Sequence, residues 1–512
     1  MHVDKQPELS VSRSITWPVW VRRISPAAAI AFLAPLSVYI ASLPPDVSLW
    51  DTAEMQTVPY IFGISHPTGF PTFVIAGWIF SHLVPFGNVA WRISLMSALA
   101  MSLAAWCVYA CVVELEGKRA LGTVCALLFA FGDVAWTRGT RAEVHSFAIA
   151  FAALTIWLVL RWRRTGETQT LLIAALAYGF ALATHGLVVL MAPGLAMLLF
   201  PRILSLPRKD LWHAAGHVIF PCLLYLYIPL RSMYLYAHQV DPTLALGIPP
   251  GRPFWDNHHP ATPVAFWHYL TGGDSSQVGV GFSSMFSPGL YPEVVSRFGA
   301  AALHEFGFLA LLFAALGFAL LARDRWYTAL GLALVCAPCI PYGLLYPEAD
   351  PERYLLTAFW LIAVLAGIGL SRVIAAYLNR TDILVDALAL AVGLALAASQ
   401  FAVNAQTFNQ RRDTGPREMI DKTVAQTPDN AILVANWAYA TALGYGAYVD
   451  RRLGHRIVVV GFSGDYRPMY DTWLLTRPIY LVNENPFTDP LLDTKRISQD
   501  PQIIEVLKRG SR

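Results

Sequence analysis

Apolar residues run along this chain in long blocks separated by short charged or Pro/Gly-rich breaks. Block after block approaches the ~20 residues that a membrane-spanning helix needs. The pattern predicts spans near 27–43, 91–113, 119–136, 143–161, 171–184, 186–200, 214–230, 299–322, 327–346, 354–378 and 383–402. That makes about eleven helices, with ends good to a few residues. The segment 69–86, GFPTFVIAGWIFSHLVPF, is short and amphipathic, is punctuated by Pro and Gly, and carries His82. It is placed flat at the interface or re-entrant, not across the bilayer.

Basic residues order these spans. Residues 1–26 are polar and then basic, with Arg22 and Arg23 before the first span and no small-residue cleavage site after it, so the first helix is read as retained and the segment as cytoplasmic. Alternating from there, the inner loops carry Lys118 and Arg119, then Arg161, Arg163 and Arg164, then Arg202, Arg208 and Lys209, then Arg323 and Arg325, then Arg372 and Arg380. This satisfies the positive-inside rule, and a full span at 69–86 would invert it. The expected organisation is a membrane domain over 27–402, with a first outer loop at 44–90 and a large outer loop at 231–298, followed by a domain over 403–512. In that tail ILVAN, RIVVV and PIYLVN alternate with helical stretches, which predicts a small α/β layer facing outward. No G-x-G-x-x-G follows its first strand, so nucleotide binding is not indicated.

Composition agrees with an α-helical polytopic membrane protein: 56% of the 512 residues are hydrophobic and only 14% charged. A net charge of +3 that resides in short loops implies no nucleic-acid partner. Cys107, Cys111, Cys125, Cys222, Cys336 and Cys339 all lie in apolar segments, where a thiol acts as a small hydrophobe and says nothing of redox compartment.

Chemistry enters at PPDVSLWDTAEMQTVPYIFGISHPTGFP, just after the first span. If 50–58 is a short helix, Asp51 and Glu54 lie one turn apart on one face and can act on one bound group. In HPTGFP, Pro67 and Pro71 fix the backbone while Gly69 frees it, which would hold His66 near the acids. A solvated loop with Asp51 as an N-cap accounts for the same residues without chemistry.

Further polar residues collect on the predicted outer face. They include Arg138, Arg141, Glu143 and His145 in WTRGTRAEVH, His185 in THG, Arg231 after YLYIPL, Trp255, His258 and His259 in WDNHHP, and Glu348, Asp350, Glu352 and Arg353 in YPEADPERY. Ionisable groups at membrane depth are costly, so their convergence on one leaflet points to a site. Acids with arginines among apolar spans suit a donor whose leaving group is a lipid-linked phosphate. A carboxylate such as Asp51 would take the acceptor's proton, and Arg353, Arg231, Arg138 or Arg141 would clamp the departing phosphate.

The residues WDTAE, HPTGFP, RISLMSALAMSLAAW, RAEVHSF, THG, YLYIPLRS, WDN…FWHYLTGGD and PERYLLTAF, with ILVAN and RIVVV in the tail, resemble the GT-C superfamily of polyprenyl-phosphate-sugar glycosyltransferases. More narrowly they resemble the membrane family that includes the vertebrate protein O-mannosyltransferase acting on IPT domains of cell-surface receptors. The match runs through most of the chain in order, departing at Thr68, where the family usually repeats Pro, and in WDTAE, where a Gly often precedes the Glu. The resemblance implies an inverting transfer of a sugar, mannose being the first candidate, from a polyprenyl-phosphate carrier to an acceptor protein, lipid or glycan. It also implies an integral membrane protein, of a bacterial inner membrane, with site and C-terminus outward.

By that analogy Asp51 is the base. Glu54 would orient the acceptor, support Asp51 or bind a divalent metal; no cofactor is assigned, and His66 with the two acids is too small a ligand set to argue a metal site. Arg353 is the first choice for the phosphate, a salt bridge to Glu352 or Asp350 being the structural alternative. Arg141 and Glu143 are equally readable as an inter-helix tie. His66, His145, His185, Trp255 and His258 are candidates for the acceptor or the sugar, although loop-end histidines and the aromatic belt of a membrane interface predict the same residues. A transporter or flippase is the competing class. It calls for polar residues through the bilayer and paired broken helices, and the inner halves of these spans are bland.

Overall fold

The computed structural model describes residues 25–272, 283–346, 350–378, 383–462, 464–484 and 492–508. Most of the expected cytoplasmic segment, with Arg22 and Arg23, and also Glu348 and Arg380, lie outside the described residues.

Among the described residues, six helices are long and apolar enough to cross a bilayer: Val89–Glu116, Val144–Thr165, Arg208–Ala237, Pro288–Leu345, Pro351–Tyr377 and Ile383–Thr407. A seventh results if Arg119–Ala130 and Asp133–Gly139, bent by 76°, form one broken span. The count of eleven is therefore not reached on length and composition. The shortfall has a physical cause. Pro26–Ser42, Pro71–Leu83, Thr168–Leu182 and Gly186–Leu199 are apolar but shorter than a bilayer requires, and two expected spans fuse. The helix Tyr291–Cys336 counts 46 residues, yet its backbone leaves helical geometry at Gly307 and at Arg325 (φ −143°, ψ 60°). A straight helix of that length would reach about 69 Å, over twice the hydrocarbon thickness, so the break at Arg325 is where one crossing turns into the next.

The membrane helices share one core in which small residues let backbones touch. A Cβ on Gly317 would lie 2.0 Å from the Leu365 carbonyl oxygen, and one on Gly369 would lie 1.8 Å from that of Phe313. Tyr291–Cys336 and Leu356–Leu378 therefore pack backbone to backbone, as small residues permit in membranes. Trp360, fully buried, donates its indole N–H to the Ala104 carbonyl at 2.9 Å, which a buried indole requires.

The tail folds as a five-stranded sheet in the order β2-β1-β3-β5-β4. The three apolar runs become β1 (Ile432–Ala435), β2 (Ile457–Val460) and β3 (Ile479–Val482), all parallel, with β1 in the middle. The helix Trp437–Tyr448 joins β1 to β2, and Arg467–Trp473 joins β2 to β3. Two further strands, β4 (Leu492–Gln499) and β5 (Gln502–Lys508), add antiparallel to β3. They escape an apolar-run reading because β4, LDTKRISQ, is a polar edge. This domain docks on the first loop. Arg417 pairs with Asp46 at 2.7 Å and with Asp450 at 2.5 Å. Tyr445 accepts the Ala90 N–H at 3.1 Å, and Val47, Ala53 and Ala90 join the core of Leu433 and Leu443.

Candidate active site

The helix Trp50–Ile61 sits at the centre of the site. It opens with Asp51 in its first turn, where a carboxylate is favoured by the helix dipole, and ends at Phe62, which adopts φ 53°. The i, i+3 spacing does place Asp51 and Glu54 together, but in different surroundings: Glu54 is fully buried, whereas the Asp51 side chain is 45% exposed.

Glu54 is occupied by His66. One carboxylate oxygen accepts the His66 backbone N–H at 2.7 Å, and the other lies 2.5 Å from the imidazole Nδ1. The HPTGFP turn makes this possible. Gly69 N–H donates to the His66 carbonyl at 3.0 Å, and the buried Tyr269 hydroxyl donates to the Ser65 carbonyl at 2.5 Å. Gly69 adopts φ 89°, and a Cβ there would lie 2.5 Å from Ile228 Cδ1, so only glycine fits. Burial alone would lower the basicity of His66, but the Glu54 carboxylate, helped by Asp51, overrides it and pushes the imidazole up to about 9. Burial raises Glu54 above the usual carboxylate range, with His66 pulling the other way. Each partner favours the charged form of the other.

Asp51 is held from two other directions. Its Oδ1 accepts the Trp437 indole N–H at 2.8 Å, and its Oδ2 lies 3.6 Å from Arg353 Nη1. Trp437 follows β1 directly and stands edge-on to His66. Arg353 sits over the Tyr354 ring at 5.1 Å. Half of Asp51 thus remains open beside an arginine, a geometry suited to proton abstraction next to an anion.

Behind Arg353, Arg138 donates to Glu143 at 3.0 Å and pairs with Asp350. Glu143 also takes His145 Nδ1 at 2.7 Å. The expected Arg141–Glu143 tie is therefore made by Arg138, and Asp350 serves Arg138 instead of Arg353. Arg141 feels the charges of Arg138 and Arg353, and burial with that repulsion makes it less basic than usual. Among the described residues no carboxylate forms an ion pair with Arg141, which leaves it available to an anion. His145 Nε2 is buried without a hydrogen-bond partner, and His185 packs 4.8 Å from the His145 ring. Burial, His145 and Arg353 keep His185 neutral, well below its ordinary range. His145, His185, Arg353 and Tyr354 line one end of a slot of ≈ 50 Å³ whose walls continue as Ile149, Val188, Met191 and Leu356.

Other candidates lie elsewhere. Arg231 donates to the Phe62 carbonyl at 2.7 Å and to that of Ile61 at 3.2 Å, capping the far end of the Asp51 helix. Trp255 is 2% exposed and packs on Phe254 and Tyr448, so no ring face is open to a sugar. His258 is exposed on the same loop, and His259 is bound to Asp256 at 2.9 Å and to Ser232 at 3.0 Å. Two residues of the site, Trp437 and Tyr354, escaped sequence reasoning. A signal existed for Trp437: it follows the carboxyl end of the central strand β1, where the strand order reverses and α/β sheets place their ligand contacts.

Ligand atoms of Asp51, Glu54 and His66 all fall within 4.8 Å of one another, a set able to hold a divalent cation. His66 Nδ1 shares its hydrogen with Glu54, so a cation would displace that proton or take Nε2.

Residues 51–206 match the family model for the Protein O-mannosyl-transferase TMEM260 N-terminal domain. The similarity to that family's N-terminal domain is confined to this stretch. That stretch contains Asp51, Glu54, His66, Arg138, Arg141, His145 and His185. A Protein O-mannosyl-transferase tmem260 of Dictyostelium discoideum is 32% identical over 137 residues, 26% of this chain and 17% of that protein. A Protein O-mannosyl-transferase TMEM260 of Mus musculus is 28% identical over 213 residues, 39% of this chain and 30% of that protein. The chain thus spans less than a third of the length of these relatives. In three dimensions, apo ArnT from Cupriavidus metallidurans superposes with a TM-score of 0.54 at 13% identity, covering 93% of this chain and 97% of ArnT. ArnT bound to undecaprenyl phosphate gives a TM-score of 0.52, covering 94% and 98%. At that identity the likeness is one of fold alone, a helical polytopic membrane fold resembling that of GT-C enzymes.

Proposed function

We propose that this chain is an inverting GT-C glycosyltransferase. It moves a sugar, mannose first, from a polyprenyl-phosphate carrier to an acceptor hydroxyl on the outer side of the membrane. The carrying observation is the Asp51–Arg353 juxtaposition at 3.6 Å, with Arg353 lining the end of a mostly apolar slot. Asp51 Oδ2 removes the acceptor's proton as its oxygen forms a bond to the anomeric carbon. The carbon–phosphate-oxygen bond breaks with its electron pair, and Arg353 and Arg141 receive the charge of the leaving polyprenyl phosphate. No general acid is needed, because the phosphate leaves as an anion.

The phosphate would sit against Arg353 in the lining of the slot, and the isoprenoid tail would follow the apolar walls outward into lipid. The undecaprenyl phosphate bound by ArnT supports a carrier of this class, and the names of the TMEM260 relatives support mannose and a protein hydroxyl. Contact between Trp437 and Asp51 puts the tail domain on the same face as the site, and basic helix ends such as Arg163 and Arg164 lie at the other end of the Val144–Thr165 helix, which supports an outward-facing site. A divalent cation, if bound by Asp51, Glu54 and His66, would supply positive charge beside the same phosphate.

The test is transfer of radiolabelled mannose from a polyprenyl-phosphate donor to a hydroxyl-bearing peptide by the full chain in lipid. Asp51→Asn should abolish turnover by about 10²- to 10⁴-fold while leaving the fold and donor binding intact. Undiminished transfer by Asp51→Asn, or no transfer by the wild type from any polyprenyl-phosphate sugar, sinks the proposal.

A further inference from the structure

A second cavity, ≈ 450 Å³, lies far from Asp51, where Val89–Glu116 and Val144–Thr165 end and the helix Tyr291–Cys336 breaks at Arg325. Glu143 begins the Val144–Thr165 helix beside the site, and Arg163 and Arg164 end it, about 30 Å of helix away. This cavity is therefore on the opposite face of the bundle.

Its charges do not cancel. Of the two acids in the lining, Glu114 pairs with Arg164, and Asp324 pairs with Arg372 at 2.9 Å and Arg323 at 3.0 Å. Arg163 and Arg325 remain. Among the described residues Arg163 donates only to the carbonyls of Leu198 and Phe200, and Arg325 only to that of Leu115 at 3.5 Å. Arg202, outside the lining, donates to the Arg163 carbonyl at 2.5 Å. Among the described residues no carboxylate forms an ion pair with any of these three. Orientation alone calls for basic residues on water-facing loops; it does not call for guanidiniums turned into a concavity.

The walls explain what kind of anion fits. Leu115, Leu160, Trp326 and Tyr327 line the cavity, the last two with their rings stacked at 3.6 Å. Trp326 is 53% exposed, and one turn on Leu330 is 40% exposed, giving an apolar track that leaves the charged pocket along the outside of the helix. A soluble anion has no use for such a track. Basic pockets between spans bind lipid head groups in this way.

We propose that this cavity binds the phosphate of an anionic membrane lipid, with Arg163 and Arg325 on the phosphate oxygens and an acyl chain along Trp326 and Leu330. The site is independent of the Asp51 chemistry and stands whether or not the chain transfers sugar.

Native mass spectrometry of the full chain, titrated with phosphatidylglycerol, phosphatidylcholine or inorganic phosphate, tests it. Wild-type protein should retain phosphatidylglycerol about fivefold better than phosphatidylcholine, and Arg325→Gln should lower that retention about fivefold with phosphatidylcholine unchanged. Arg325 makes one long hydrogen bond, so its loss should leave the melting temperature in place; the comparison of lipids on wild-type protein needs no variant at all. Equal retention of the two lipids, or no effect of Arg325→Gln, overturns the proposal. Displacement of phosphatidylglycerol by millimolar inorganic phosphate would assign the pocket to a soluble anion and overturn the lipid reading as well.

Discussion

Trp437 and Asp51 stand 386 positions apart in the chain, and the indole N–H of one donates to a carboxylate oxygen of the other at 2.8 Å. Through this bond the tail domain reaches the proposed base and leaves only Oδ2 to act. Trp437→Phe keeps the ring and removes the donor. A hydrogen bond to a charged group is worth ~1.5–3 kcal/mol, so turnover should fall about tenfold or more with little change in donor KM. A purely structural tryptophan would lower the melting temperature and leave kcat at temperatures well below it unchanged.

Arg353 and Arg141 are expected to share the donor phosphate, Arg353 beside Asp51 and Arg141 without a carboxylate of its own. Arg353→Lys keeps the charge and loses the planar fork. Donor kcat/KM should drop about 10- to 100-fold in Arg353→Lys and in Arg141→Gln. Arg231→Gln, which removes hydrogen bonds to the Ile61 and Phe62 carbonyls, should instead act on stability. If Arg231→Gln alone weakened donor use, the assignment of roles would be reversed.

The His66–Glu54 pair makes stability depend on alkaline pH. With the folded imidazole up to about 9 against an ordinary 6.5, its contribution is complete below 6.5 and is lost as pH rises through about 9. The melting temperature should accordingly decline between pH 7 and 10. In Glu54→Gln the attraction goes and burial remains, so the imidazole should titrate below its ordinary value and the alkaline decline should disappear. Imidazole chemical shifts against pH read this directly.

Gly69→Ala tests the turn that presents His66. A Cβ there meets Ile228 and Tyr269 at 2.5 and 2.9 Å, and the backbone stays at φ 89°. The substitution should destabilise by about 1–3 kcal/mol and displace His66 from Glu54. Unchanged stability and an unchanged His66 titration would show that the turn has room to adjust.

Local chemistry was legible in the chain itself. Apolar blocks marked the helices, i, i+3 spacing paired Asp51 with Glu54, the HPTGFP turn carried His66 to them, and ILVAN, RIVVV and PIYLVN became the three parallel strands. Each follows from a periodicity or a backbone restriction that neighbouring residues impose on one another.

Tertiary structure decided the rest. Four arginines in polar segments were candidates for the phosphate, Arg353 the first choice among them, and folding put Arg353 beside Asp51, gave Arg138 to Glu143 and Asp350, and spent Arg231 on a helix end. Trp255 and Trp437 look alike as letters, yet one is sealed between Phe254 and Tyr448 while the other holds Asp51. Hydropathy also cannot tell a block that spans from one that stops short or runs on through a break, as at Arg325. The reason is common to all three cases. Which partner a charge or an indole finds is set by packing between segments hundreds of residues apart, and no property of either segment alone encodes it.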